Sequence, residues 1–272
     1  MKSREQVYLP AAGPEDKRLI VIGDVHGENE LLKQALGQVH SPETATLIMM
    51  GDLIDRGPDS KGVLETVKEA EATFAETVLL PGNHEQMFYF SMLGLREWEG
   101  SFVANGGANT LMEFGFNPNA LLEALPEQII KRLSGDLPIW HREGDLLFVH
   151  AGLHPDVPTD IFLENIAPDN DGKGGFREDY SPLWVRAPFY ANPNHMGPYT
   201  APGGDPVMVV YGHTRVGTKD PEEHMRRVRE DIESWRFPMD CTGSGMLSVT
   251  EINGDQVHMT LVSERSLSLD YE

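Results

Sequence analysis

Two kinds of hydrophobic pattern divide this chain. The first is a set of short apolar runs: Arg18 to Ile22, Leu47 to Met50, Thr77 to Leu80, Asp145 to Val149 and Val207 to Tyr211. Each has the length of a strand buried on both faces, and each stops beside a glycine, a proline or a small residue. The second pattern has helical spacing. Glu28 to Val39 places Leu31, Leu32, Ala35, Leu36 and Val39 on one side, and Pro58 and Ser60 open a helix over Gly62 to Ala70. Gln86 to Leu95 carries Met87, Phe88, Phe90, Met92 and Leu93 as core positions, and Ala120 to Leu133 is a helical stretch interrupted by Pro126. The run 221 to 235, PEEHMRRVREDIESW, predicts a charged amphipathic helix whose Arg226, Arg227 and Arg229 form a solvated, internally ion-paired face. Met246 to Ile252 and Gln256 to Val262, joined through Asn253-Gly254, read as a terminal hairpin. Trp98 to Phe116 reads as a loop and a short helix, with Asn105-Gly106-Gly107 read as a plain turn in preference to a cleft lining. Strand and helix alternate through the N-terminal half, so the expectation is an α/β fold with βαβ units. One domain spans 18 to 272, and residues 1 to 17, polar and carrying Pro10 and Pro14, form a loosely held tail.

Composition narrows the functions. The 272 residues are 40% hydrophobic, enough for a sizeable core, and 43 acidic residues face 22 Lys plus Arg for a formal charge of −21. A field of that sign repels nucleic acid and anionic membrane, so neither is an expected partner; the ordinary use of the excess is solubility. The single cysteine, Cys241, excludes an internal disulfide and suits a reducing compartment. No run has the length and apolarity of a signal peptide core or a membrane span, so the expected location is the cytoplasm. Residues 155 to 182 are a Pro-, Gly- and Asp-rich excursion. Within it APDNDGKGG is not a calcium loop, because Lys173 and Tyr180 fall where oxygen ligands belong.

The chemistry gathers where the apolar runs end. GDVHG follows the first and places Asp24 and His26 two apart on extended chain, where they point the same way and can share a metal. GDLIDRG follows the second, with Asp52, Asp55 and Arg56. GNHE follows the third with Asn83, His84 and Glu85, and His150 and His213 stand after the fourth and fifth. Taken singly, each has a plainer reading: Asp24 as a helix cap, an Asp-rich turn tied by Arg56, a structural His150, a surface Arg186 after the anchor LWV. Five strand ends bearing carboxylate, imidazole and amide oxygen together are a different matter. That donor set suits Mn²⁺, Fe or Zn²⁺, and a carboxylate shared between two ions makes a two-metal site.

GDVHG, GDLIDRG, GNHE, HAG and GHT, in this order, resemble the phosphoprotein phosphatases of the calcineurin-like metallophosphoesterase superfamily, and the NGG segment and LWVR resemble their bacterial and phage branch. The resemblance covers Arg18 to Val262 and implies a β-sandwich of two mixed sheets flanked by helices. It implies two divalent ions, Mn first, with Asp24 and His26 on one, Asn83, His150 and His213 on the other, and Asp52 bridging. It also implies Arg56 and Arg186 as phosphate-gripping arginines and His84 as general acid oriented by Asp55. The family commonly has Asp-Thr-Gly after its last metal histidine, whereas this chain has Asp240-Cys241-Thr242-Gly243. The implied reaction is hydrolysis by metal-activated hydroxide of phosphoserine or phosphothreonine in a phosphoprotein or phosphopeptide. Hydrolysis of diadenosine tetraphosphate is the alternative within the family. A catalytically silent metal-dependent binding protein is the alternative of another class, and it would be expected to lack a ligand or an arginine that this chain retains.

Overall fold

A computed structural model describes residues 3–168, 175–190, 197–215, 218, 220–241 and 245–263. Along them the strands are β1 (Ser3–Tyr8), β2 (Arg18–Ile22), β3 (Ala45–Met49), β4 (Glu76–Leu79), β5 (Trp140–Glu143) and β6 (Leu146–Val149), then β7 (Tyr199–Thr200), β8 (Pro206–Tyr211), β9 (Arg236–Pro238), β10 (Met246–Asn253) and β11 (Gln256–Ser263). One sheet has the order β1-β11-β10-β2-β3-β4 and the other β5-β6-β8-β7, with β9 paired to β8. Both are mixed: β2, β3 and β4 run parallel, as do β6, β8 and β9, and the remaining pairs are antiparallel.

Period-two alternation explains why these strands read as continuous apolar runs. Leu19, Val21, Ile48 and Met50 face Leu146, Phe148, Met208 and Val210 across the sandwich. Ile20, Ile22, Leu47 and Met49 face the other way, onto helices α1 (Asn29–Leu36) and α2 (Ser60–Thr73). A fully buried side chain such as Leu32 on α1 contributes about 1.5–3 kcal/mol by leaving water. The Asp59 side chain caps α2 by accepting from the Gly62 N–H at 2.9 Å.

This topology decides where the site lies. The ends of β2, β3 and β4 come out at the same edge, and the Met50 N–H donates to Ile22 O at 3.0 Å there. His150 at the end of β6 reaches across the sandwich to donate from Nδ1 to Met50 O at 2.7 Å, while the Gly212 N–H beyond β8 donates to His150 O, also at 2.7 Å. Five strand ends from two sheets thus share one edge.

Some expectations are corrected. Residues 3 to 8 are not a loose tail but an edge strand, whose pairing with β11 uses main-chain groups that no side-chain pattern reveals. The helix expected from Gln86 to Leu95 begins a turn earlier as α3 (Asn83–Met92), since the Glu85 side chain accepts the Gly82 N–H at 2.8 Å and closes the first turn. Trp98 to Phe116 is mostly helical, as α4 (Arg96–Phe102), a π-helical turn Val103–Gly107 and α5 (Ala108–Glu113). The charged helix Pro221–Glu233 is ion-paired as expected, with Arg226 on Glu223 and Glu230 and Arg227 on Glu223. Residues 169–174 of the Pro/Gly/Asp excursion, and Thr242 and Gly243, lie outside the described residues. No described helix is long and apolar enough to cross a membrane.

Candidate metal centre

Asp52 is the hinge of the site. It follows β3 in the left-handed region at φ 51° and is almost fully buried. Its Oδ2 lies 3.4 Å from His26 Nε2 and its Oδ1 lies 3.5 Å from His150 Nε2. The two oxygens of one carboxylate therefore face two separate groups: His26, Asp52 and His84 on one side, Asp52, His150 and His213 on the other, with the ligand atoms of each group within 4.8 Å of one another. Close packing holds Asp52 there. A side chain on Gly82 would put its Cβ 2.0 Å from Asp52 Oδ1, so only glycine fits.

Three of the four histidines are oriented by a backbone carbonyl. His26 Nδ1 donates to Ile54 O at 3.1 Å, His150 Nδ1 to Met50 O at 2.7 Å and His213 Nε2 to Trp184 O at 3.1 Å. The second nitrogen of each ring is thereby turned inward, the arrangement that fixes metal-ligating imidazoles. Burial first, helped by the charges on His150 and Arg186, holds the His213 pKa well below its ordinary value. A neutral His213 has one proton for two oxygens, Trp184 O at 3.1 Å from Nε2 and Asn83 Oδ1 at 2.8 Å from Nδ1, and with the proton on Nε2 the bare Nδ1 lone pair meets the Asn83 oxygen. Acceptor faces acceptor at hydrogen-bond distance, which a cation between or beside them resolves. The residues present fit a divalent ion.

The remaining shifts point both ways. Burial pushes the His26 pKa down to about 3, leaving a neutral ring. Burial also opposes charge on His150, but the Asp52 carboxylate outweighs it and raises the pKa to about 9. Against its own burial, Asp52 is held well below the usual carboxylate range by the charges of His150 and His84. Asp24 goes the other way, raised well above its ordinary value by burial and by the charge of Asp240.

All ten residues expected at the site lie on this edge, but not all as expected. His26 has φ 49°, so Asp24 and His26 are not related by extended alternation. They still come within 4.0 Å because the chain turns between them. Both Asp24 oxygens accept the His213 N–H at 3.0 Å, and Asp24 stands outside the two tight groups, whereas His84 stands inside one. His84 Nδ1 donates to Asp55 Oδ2 at 2.7 Å, and its Nε2 is buried with no hydrogen-bond partner among the described residues. Arg56, far from tying up the Asp-rich turn, donates to His26 Nε2 at 2.7 Å. Arg186 donates to Thr214 Oγ1 at 2.8 Å and to His213 O at 3.3 Å. Both arginines are exposed, one beside each group, so positive charge stands on the solvent side of a buried ligand cluster.

Sequence reasoning missed the supports. Glu85 is fully buried and accepts the N–H groups of Asp52, Leu53, Ile54 and Gly82, at 2.9, 2.8, 3.3 and 2.8 Å, clamping two ligand loops together. Its signal was a carboxylate immediately before a core-facing helix. Thr110 donates to Asp55 Oδ1 at 2.6 Å and accepts the Asp55 N–H at 3.1 Å. The Asn105-Gly106-Gly107 segment is no plain turn: at φ 108°, Gly106 packs onto Arg56 so closely that a Cβ would lie 2.8 Å from the Arg56 nitrogen. Nothing local marks either contact.

The family model for calcineurin-like phosphoesterases matches residues 17–217, and the chain belongs to that family. It is a hydrolase of the metallophosphoesterase type, a family that uses a dinuclear divalent metal centre, and it carries two His/Asp groups joined at Asp52 that could each hold an ion. The asymmetrical bis(5'-nucleosyl)-tetraphosphatase PrpE of Bacillus thuringiensis (strain Al Hakam) is 33% identical to it over 218 residues, covering 74% of this chain and 79% of that protein. Serine/threonine-protein phosphatase 1 of Salmonella typhimurium is 36% identical over 88 residues, 32% of this chain and 38% of that protein. Among solved structures, a cold-active protein tyrosine phosphatase shares the fold with a TM-score of 0.53 at 18% identity, over 88% of this chain and 78% of that one.

Proposed function

We propose that the chain hydrolyses phosphate monoesters of alcohols, phosphoserine and phosphothreonine in proteins above all, with Mn²⁺ as the metal and Fe or Zn²⁺ as the other ions suited to the donor set. The observation that carries this reading is the buried His84–Asp55 pair, 2.7 Å apart, with His84 Nε2 unpartnered and turned toward the ligand cluster. A serine or threonine alkoxide is a poor leaving group and needs a proton as the P–O bond breaks. The phosphate group of a departing nucleotide needs none.

In this reading Asp24, His26 and Asp52 would hold one ion, and Asp52, Asn83, His150 and His213 would hold the other. Divalent ions bound there supply positive charge for the transferring phosphoryl group and bring the pKa of water toward neutrality. Arg56 and Arg186 grip the phosphoryl oxygens and take up charge on them as it develops. His84 Nε2 gives its proton to the leaving oxygen, while Asp55 keeps the ring's orientation and stabilises its charged form. One P–O bond forms to water as another breaks to the alcohol, and no side chain becomes phosphorylated.

The relatives favour a second reading. Bis(5'-nucleosyl)-tetraphosphatase matches span most of this chain, and a serine/threonine phosphatase match covers a third of it. Turnover of a phosphothreonine peptide and of diadenosine tetraphosphate by Mn²⁺-reconstituted protein separates the two. The first reading expects the larger kcat/KM for the peptide; a larger value for the dinucleotide assigns the nucleotide reaction instead.

A further inference from the structure

Gln86 belongs to none of the motifs that define the site. It is fully buried on α3, one turn after Asn83. Its Oε1 accepts the Trp184 indole N–H at 2.6 Å and its Nε2 donates to Ile166 O at 2.9 Å. The uncharged amide accepts from the indole with its oxygen and donates to the carbonyl with its nitrogen; leucine does neither, and a glutamate carboxylate only accepts. Trp184 is also the residue whose carbonyl receives His213 Nε2–H at 3.1 Å. Its ring is wedged edge-on against Trp98, Phe176 and the His213 ring. Two residues further on, Arg186 returns to His213 O and Thr214.

From this chain of contacts we infer that Gln86 is a positioning residue for the half of the centre formed by Asn83, His150 and His213. Acting through Trp184, it holds the 184 carbonyl where it fixes the His213 proton on Nε2 and keeps Nδ1 as the ligand atom. Helix α3 thereby supplies Asn83 directly and sets the tautomer of His213 indirectly. The half of the centre around His26 takes its orientation from Ile54 O instead and does not depend on Gln86. The inference rests on the reading of Asp52, His150 and His213 as metal ligands.

The test uses Gln86→Leu and Trp184→Phe, the second of which keeps the aromatic packing and loses only the indole donor. Nitrogen NMR of the metal-free protein should show His213 protonated on Nε2 in the wild type and a mixture of tautomers in both variants. Cadmium NMR during titration with Cd²⁺ alone should show the two-imidazole site weakened by about 10-fold while the His26 site keeps its affinity. The double variant should lose no more than either single one, since both break the same link. Equal weakening of both sites, or an unchanged His213 tautomer in Trp184→Phe, would overturn the inference. If the wild type binds Cd²⁺ only at the His26 side, the ligand assignment fails as well, and the tautomer measurement still decides whether Gln86 orients His213.

Discussion

His84 and Asp55 form a closed pair: Nδ1 lies 2.7 Å from Oδ2, and both side chains are completely buried. The other Asp55 oxygen is taken by the Thr110 hydroxyl, so the carboxylate is fully engaged in holding one imidazole. A ring fixed on one nitrogen and unpartnered on the other is built to exchange a proton at the second. His84→Asn is therefore expected to lose about 10²–10⁴-fold in kcat on alkyl phosphates, and less on aryl phosphates, with both metals retained. Loss of a metal would make His84 a ligand of the group in which it stands, and equal losses on both substrate types would remove its role as acid.

Gly106 and Arg56 make the second case. A side chain at 106 meets both a disfavoured φ and the Arg56 backbone. Gly106→Ala should displace the guanidinium and lower kcat/KM by up to about 10²-fold, the scale on which a displaced positioning group acts. Metal affinity should barely change. Unaltered kinetics in a folded variant would mean that Arg56 does not grip substrate.

Stability has its own pH signature away from the site. His224 is buried on the helix Pro221–Glu233, and burial, with the charge of Arg227, lowers its pKa to about 4. Between the ordinary value near 6.5 and 4, the unfolded chain binds a proton that the folded chain refuses. Stability therefore falls as pH falls through that window, by at most about 3 kcal/mol from this group. Above pH 6.5 the group contributes nothing. Denaturant unfolding of wild type and His224→Gln across pH 4–7 should show the difference narrowing toward acid; a constant difference would contradict it.

Cys241 is poorly suited to act as a nucleophile. It is buried, and burial together with the neighbouring Asp240 charge pushes its thiol well above the ordinary value. Its thiolate is correspondingly scarce. Cys241→Ser should turn over nearly as fast as wild type, and a chiral phosphate ester should be hydrolysed with inversion at phosphorus. Retention, or a trapped phospho-residue, would require a second displacement.

The strands were legible because each is an apolar run buried on both faces, and the five motifs were legible because glycines and polar groups interrupt those runs. Where the reading went astray, the cause was non-local. The edge strand Ser3–Tyr8 owes its place to main-chain pairing, and the short β5 and β9 have no apolar run of their own. Asp24 and His26 were brought together on the wrong geometric ground, since the chain turns at His26. Glu85, Thr110 and Gln86 take partners 33, 55 and 98 positions away, so nothing beside them in sequence announces what they hold.

On this reading the Asp52 carboxylate would serve two metal ions, one through each oxygen. Titration of metal-free protein with Mn²⁺, read by electron paramagnetic resonance, tests it directly. Two ions per chain with magnetically coupled spins are expected, and loss of that coupling in Asp52→Asn. A single saturable ion at full activity, or two ions that remain uncoupled in the wild type, would contradict it.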